Sequence, residues 1–84
     1  MSASDLKKLT ASLRKKFGGE VGYERINSKG RYRLEIISPK FAKMTQLQRQ
    51  DSVWAVVDQV LSRQATLGIS MILTYSPAEL AATR

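Results

Sequence analysis

The chain predicts an α+β fold: a small three-stranded sheet with helices packed on one face, in the order α-β-β-α-β-α. Three observations carry this expectation. Apolar residues recur at helical spacing over 5–17 and 46–66, they alternate or run together over 31–38 and 69–75, and turn formers separate these stretches. The 84 residues are read as one domain, 1–84. A chain of this size buries roughly 60–65% of its unfolded surface, enough for one core and no deep substrate cavity.

The first helix is expected over 5–17. Leu6, Leu9, Leu13 and Phe17 fall on one stripe, and Lys7, Lys8, Arg14, Lys15 and Lys16 occupy the opposite arc. Ser4 is the expected N-cap, Asp5 suits the positive end of the helix dipole, and Gly18-Gly19 ends the helix. Two strands follow, Val21–Ile26 and Arg31–Ser38, joined through Asn27-Ser28-Lys29-Gly30, a run of turn formers. In the second strand Tyr32, Leu34 and Ile36 share one face while Arg31, Arg33 and Glu35 share the other. Pro39 stops the strand by withholding a backbone donor.

The longest helix is expected over 46–66, opened by Thr45 and Gln48 as a capping box, each side chain satisfying an orphan backbone N–H. Leu47, Trp54, Val57 and Leu61 form its apolar stripe, widened by Val53, Val56 and Val60. Gly68 ends it. Ile69–Tyr75 reads as a third strand with apolar residues on both faces, which predicts a well-covered or central position rather than an exposed edge. Ser76-Pro77-Ala78-Glu79 then starts a short last helix, with Ser at the N-cap, Pro at the first helical position and Glu at the third.

Charge is unevenly distributed. Twelve of the fourteen Lys and Arg residues lie in the first 49 positions against four carboxylates, about +8, while residues 50–84 come to about −1. Such a field attracts a polyanion or an acidic protein to one end of the molecule. The chain has neither Cys nor His. Disulfides, thiolate or imidazole metal ligation, and Ser–His or Cys–His nucleophile pairs are therefore excluded. Carboxylates are scattered singly and no glycine-rich phosphate loop occurs, so a protein without catalytic residues and without a cofactor or metal is expected. No apolar run nears the ~20 residues that span a bilayer, and Met1–Lys8 has no signal-peptide stretch. A cytoplasmic location is the expectation.

Residues 38–57, SPKFAKMTQLQRQDSVWAVV, resemble the BolA family pattern S-P-x-F-x-G-x-S-x-x-x-R-H-R-x-V-Y-x-x-L. Ser38, Pro39, Phe41, Arg49 and Val53 match as they stand; Thr45, Trp54 and Val57 are conservative replacements. Tyr75-Ser76-Pro77-Ala78-Glu79 is similar to the family's Y-T-P-x-E ending. The resemblance covers roughly 5–82 and implies a class II KH-like fold in a divergent member. Lys43 stands in place of the family's Gly, Gln50-Asp51 in place of His-Arg, and Gly68 near a further family His. Shared iron–sulfur ligation with a glutaredoxin is not implied, because the chain has no ligand to contribute.

The resemblance and the charge distribution together suggest a regulatory protein that binds DNA or RNA through Lys7, Lys8, Lys15, Lys16, Lys40, Lys43 and Arg49. In KH-like domains the turn before the second helix approaches the nucleic-acid backbone, although Phe41-Ala42-Lys43-Met44 lacks the glycines of a KH loop. The alternative is a protein-interaction adaptor docking an acidic partner such as a glutaredoxin-like protein. Each candidate also has a plainer reading. The lysines of the first helix suit a solvated face, Trp54, Phe41 and Met44 suit the core, and Tyr23 and Tyr32 suit cross-strand packing. Arg49 has two roles open to it: bonding a carbonyl of the preceding turn, or facing a partner.

Overall fold

The computed structural model describes residues 1–26 and 30–83. The elements are α1 (Ala3–Phe17), β1 (Glu20–Arg25), β2 (Tyr32–Ile37), a 3-10 turn (Pro39–Lys43), α2 (Gln46–Val60), α3 (Arg63–Thr66), β3 (Ile69–Tyr75) and α4 (Pro77–Ala82). This is the α+β order read from the sequence. The expected turn at Asn27-Ser28-Lys29 lies outside the described residues.

Helix α1 starts two residues earlier than expected. Ser2, not Ser4, is the N-cap: its hydroxyl accepts from Asp5 N–H, and the Asp5 carboxylate accepts from Ser2 N–H. The reciprocal pair satisfies two orphan donors at once, which Ser4 cannot do with a partner three residues on. Gly18 ends the helix with φ 70°. Gly19 follows at φ 71°, and a Cβ there would sit 2.0 Å from the Ile37 carbonyl oxygen, so the chain turns from α1 into β1 only through glycine.

The expected single helix over 46–66 is two. Its capping box forms as read, Thr45 Oγ1 accepting from Gln48 N–H and Gln48 Oε1 from Thr45 N–H. The helix stops at Leu61, however, and Ser62 caps a new turn by accepting from Ala65 N–H. Leu61 turns extended and inward, 6% exposed, so burying it displaces the helical continuation. The stripe is also shifted. Leu47 is 71% exposed, and the buried face of α2 runs through Arg49, Val53, Val56 and Val57.

The sheet order is β1-β2-β3, with β1 antiparallel and β3 parallel to β2. β2 is therefore central and β3 an edge, so of the two positions its apolar residues allowed, well-covered or central, β3 takes the first. Its coverage comes from α2, which buries Ile72 and Thr74 and whose Gln50 Nε2 and Arg49 Nη1 donate to the Ile72 and Thr74 carbonyls at 2.9 and 3.4 Å. Between α1, α2 and the sheet lies one core that includes Leu9, Leu13, Leu34, Ile36, Val53 and Val57, all with no exposed surface. Phe41 in the 3-10 turn closes it, its ring 5.2 Å from that of Phe17. Trp54 packs on the rim of the core, half-buried, with Nε1 donating to Gln50 Oε1. Among the described residues no helix is long and apolar enough to cross a membrane.

Candidate functional site

The turn between β2 and α2 is held from four sides. Ser38 is fully buried, and its hydroxyl donates to the Phe17 carbonyl while accepting from Lys40 N–H. Pro39 fixes the first φ of the 3-10 turn. Phe41 N–H donates to the Ser38 carbonyl and Met44 N–H to the Phe41 carbonyl. The Ser-Pro-x-Phe run is thus a device that ties the end of α1 to the start of α2.

Arg49 is where this tie is locked. Its side chain is 3% exposed. Nε donates to the Met44 carbonyl, Nη2 to the Phe41 carbonyl at 2.6 Å, and both terminal nitrogens reach the Glu79 carboxylate at 2.7 and 2.9 Å. The guanidinium also lies 5.6 Å from the centre of the Phe41 ring. Hydrogen bonding to Glu79 raises the Arg49 pKa. The Glu79 carboxyl falls from 4.5 to about 2, chiefly because it accepts from Arg49 and then from Ser76 N–H. Of the two roles open to Arg49, the structure shows the carbonyl-bonding one. The helical signal for it was present: Arg49 stands at i, i+4 and i+7 with Val53 and Val56. Its partner Glu79, thirty residues away, had no signal beyond its place in a cap.

The other six candidates are all exposed. Lys16 and Lys40 meet where α1 ends against the 3-10 turn that Lys43 closes: Lys40 Nζ donates to the Lys16 carbonyl at 2.8 Å, and Lys16 Nζ lies 6.0 Å from the Phe17 ring centre. Lys15 and Lys16 also line a groove between α1 and α2 floored by Val56 and Val60. Lys7 and Lys8 stand eight residues earlier on α1, about 12 Å along its axis. The structure therefore makes one short basic cluster and a second pair further up the same helix. Among the described residues none of these six lysines forms an ion pair.

The chemistry available here is electrostatic. Backbone donors of the turn are spent inside it, at Lys40, Phe41 and Met44, and those of Thr45 and Gln48 are spent on the capping box. Phe41 is buried, so it offers no stacking face; Tyr23 and Tyr32 meet edge to face at 5.9 Å, toward the end of β2 away from this turn. What remains are ammonium groups with donors to spare, including two of three on Lys40, beside the backbone N–H groups of Gln46 and Leu47 in the first turn of α2. The donor set does not fit an iron–sulfur cluster, since the chain has no Cys or His. Among the described residues no group of three or more metal-ligating side chains is brought together.

This architecture is that of solved BolA structures. BolA1 from Arabidopsis thaliana superposes with a TM-score of 0.69 at 17% identity, over 89% of this chain and 94% of that one. The BolA domain of SufE1 from Arabidopsis thaliana superposes with a TM-score of 0.67 at 16% identity, over 94% of this chain and 98% of that one. No family model and no curated protein sequence matches the chain. The chain has a BolA-like fold.

Proposed function

We propose that this chain is a non-enzymatic, BolA-like regulatory protein that binds DNA or RNA through the phosphate backbone. The observation that carries the reading is the basic cluster at the end of α1. Lys40 reaches the Lys16 carbonyl at the end of α1, Lys15 precedes it and Lys43 closes the same 3-10 turn as Lys40; among the described residues none of the four forms an ion pair, and Lys7 and Lys8 extend the positive surface along the helix. Cations at a helix C-terminus are favourable for the dipole by themselves. Lys40 and Lys43, however, come from a different element and add charge the helix does not need. With the Lys40, Phe41 and Met44 backbone donors already used, contact rests chiefly on ammonium–phosphate attraction, which positions a nucleic acid without reading its bases.

The test is a salt titration of binding to mixed-sequence duplex. With four to six lysines on phosphates, log K should fall against log[salt] with a slope of roughly −3.6 to −5.4. Affinity should depend weakly on sequence. Lys15→Glu, Lys40→Glu and Lys43→Glu together should nearly abolish binding without unfolding the protein, because all three side chains are exposed. Absence of binding even at low salt would refute the reading and favour the acidic-protein adaptor instead.

A further inference from the structure

The phase of hydrogen bonding in the sheet fixes which backbone groups face outward. Ile26 N–H donates to the Arg31 carbonyl at 3.0 Å, and this pair extends the β1–β2 register by one step. Bonded and non-bonded pairs alternate in an antiparallel ladder. Glu20, Gly22 and Glu24 therefore bond to β2, while Val21, Tyr23 and Arg25 turn their backbone groups to the edge. The other side of β2 agrees, since Tyr32 N–H and Ser38 N–H donate toward β3, to the Gly68 and Tyr75 carbonyls.

The two edges of the sheet are treated differently. At β3 the outward carbonyls of Ile72 and Thr74 are covered by side chains of α2. At β1 the Val21 carbonyl is held by Arg14 Nη2 at 3.3 Å, and among the described residues no side chain is bonded to the N–H or carbonyl of Tyr23. The Tyr23 residue is 52% exposed. An edge left in this state is a template for another strand.

From this we infer that the β1 edge docks an extended acidic segment of a partner protein, of the pattern acid-x-apolar-x-acid, laid antiparallel to β1. The apolar residue exchanges both backbone bonds with Tyr23 and packs on its ring. The residues two places either side fall opposite Val21 and Arg25, on the face that carries Arg14 and Arg25. Charge fixes the register. The opposite face of β1 carries Glu20 and Glu24, the latter paired with Arg33, so a slip of one residue would set carboxylate against carboxylate. The strip is separate from the lysine cluster, and the inference stands or falls independently of nucleic-acid binding.

The experiment uses the isotope-labelled protein and a capped seven-residue peptide with aspartate second and sixth, valine at the centre and threonine elsewhere. Tyr23 and Arg25 amide signals should shift on titration, and hydrogen exchange at Tyr23 should slow. N-methylation of the central valine should weaken binding at least tenfold, whereas N-methylation of the adjacent threonine, whose amide points away from β1, should change it less than twofold. Moving the aspartates to positions three and five should also cost at least tenfold, and Arg14→Gln should weaken the parent peptide. No shift at Tyr23 with millimolar peptide, or equal loss from both N-methyl peptides, would overturn the inference. So would Tyr23 protection that grows with protein concentration alone, which would assign the edge to a second copy of this chain.

Discussion

Replacing Arg49 by Met keeps an apolar stem in place and removes the guanidinium, and the structure sets the cost. The Phe41 carbonyl loses a 2.6 Å bond in buried surroundings, and the Thr74 carbonyl loses a longer one of 3.4 Å. The Phe41 carbonyl keeps its bond from Met44 N–H, so its loss is that of one hydrogen bond from a charged donor, about 1.5–3 kcal/mol; with about 1 kcal/mol for the Thr74 carbonyl, whose bond is long, the total is roughly 2.5–4 kcal/mol. That is a large share of the ~5–15 kcal/mol that holds a domain folded. In a chain of this length each kcal/mol moves the melting temperature by about 4–8 °C, so a fall of roughly 10–30 °C is expected by circular dichroism. Glu79→Gln should do much less, because the Glu79 side chain is 43% open to solvent and a glutamine oxygen can still accept from Ser76 N–H. An unchanged midpoint in Arg49→Met, or a larger loss in Glu79→Gln, would refute this account of the lock.

The same pair predicts a pH dependence: the folded Glu79 pKa, about 2, lies below its ordinary 4.5, so its contribution is complete above pH 4.5 and lost as pH falls toward 2. Melting temperature should therefore drop less between pH 5 and 2 in Glu79→Gln than in the parent. Gly19→Ala should cost more than ~2 kcal/mol, from a left-handed φ in a non-glycine residue and a clash with the Ile37 carbonyl; a urea midpoint equal to the parent's would contradict the close approach. Phe41→Ala should cost ~3–5 kcal/mol as a fully buried aromatic, and half-buried Trp54→Ala roughly half of that. The reverse order in chemical denaturation would place the core elsewhere. Mixed with a cluster-loaded glutaredoxin, the protein should acquire no absorbance bands of its own, and bands that follow this chain through gel filtration would show ligation by other residues.

Local features were legible in the sequence because they depend on neighbours within four residues. The Thr45/Gln48 and Ser76/Glu79 boxes, the alternation of Tyr32, Leu34 and Ile36, and the Gly18-Gly19 stop each satisfy backbone groups or a face within one element. The α-β-β-α-β-α order follows from placing these in series. Helix ends were less legible where two local solutions compete: Ser2 and Ser4 are both cap residues, and only the reciprocal bond with Asp5 separates them. The break at Leu61 reflects a contest between helical continuation and burial, which is settled by what lies beneath Leu61 and not by its propensity.

Tertiary structure alone decided the fate of Arg49, Lys40 and the sheet edges. Composition places all seven candidate cations in one basic half, but a charge becomes structural when carbonyls distant in sequence converge on it, as Phe41, Thr74 and Glu79 converge on Arg49. Lys40 meets the end of α1 only because β1 and β2 fold back between them. Apolar residues on both faces of β3 report how well it is covered, and that quantity is the same for a central strand and for an edge sealed by a helix. The distinction rests on hydrogen bonds between elements, which side-chain pattern does not encode, and it leaves β1 as the edge where the backbone of Tyr23 faces outward.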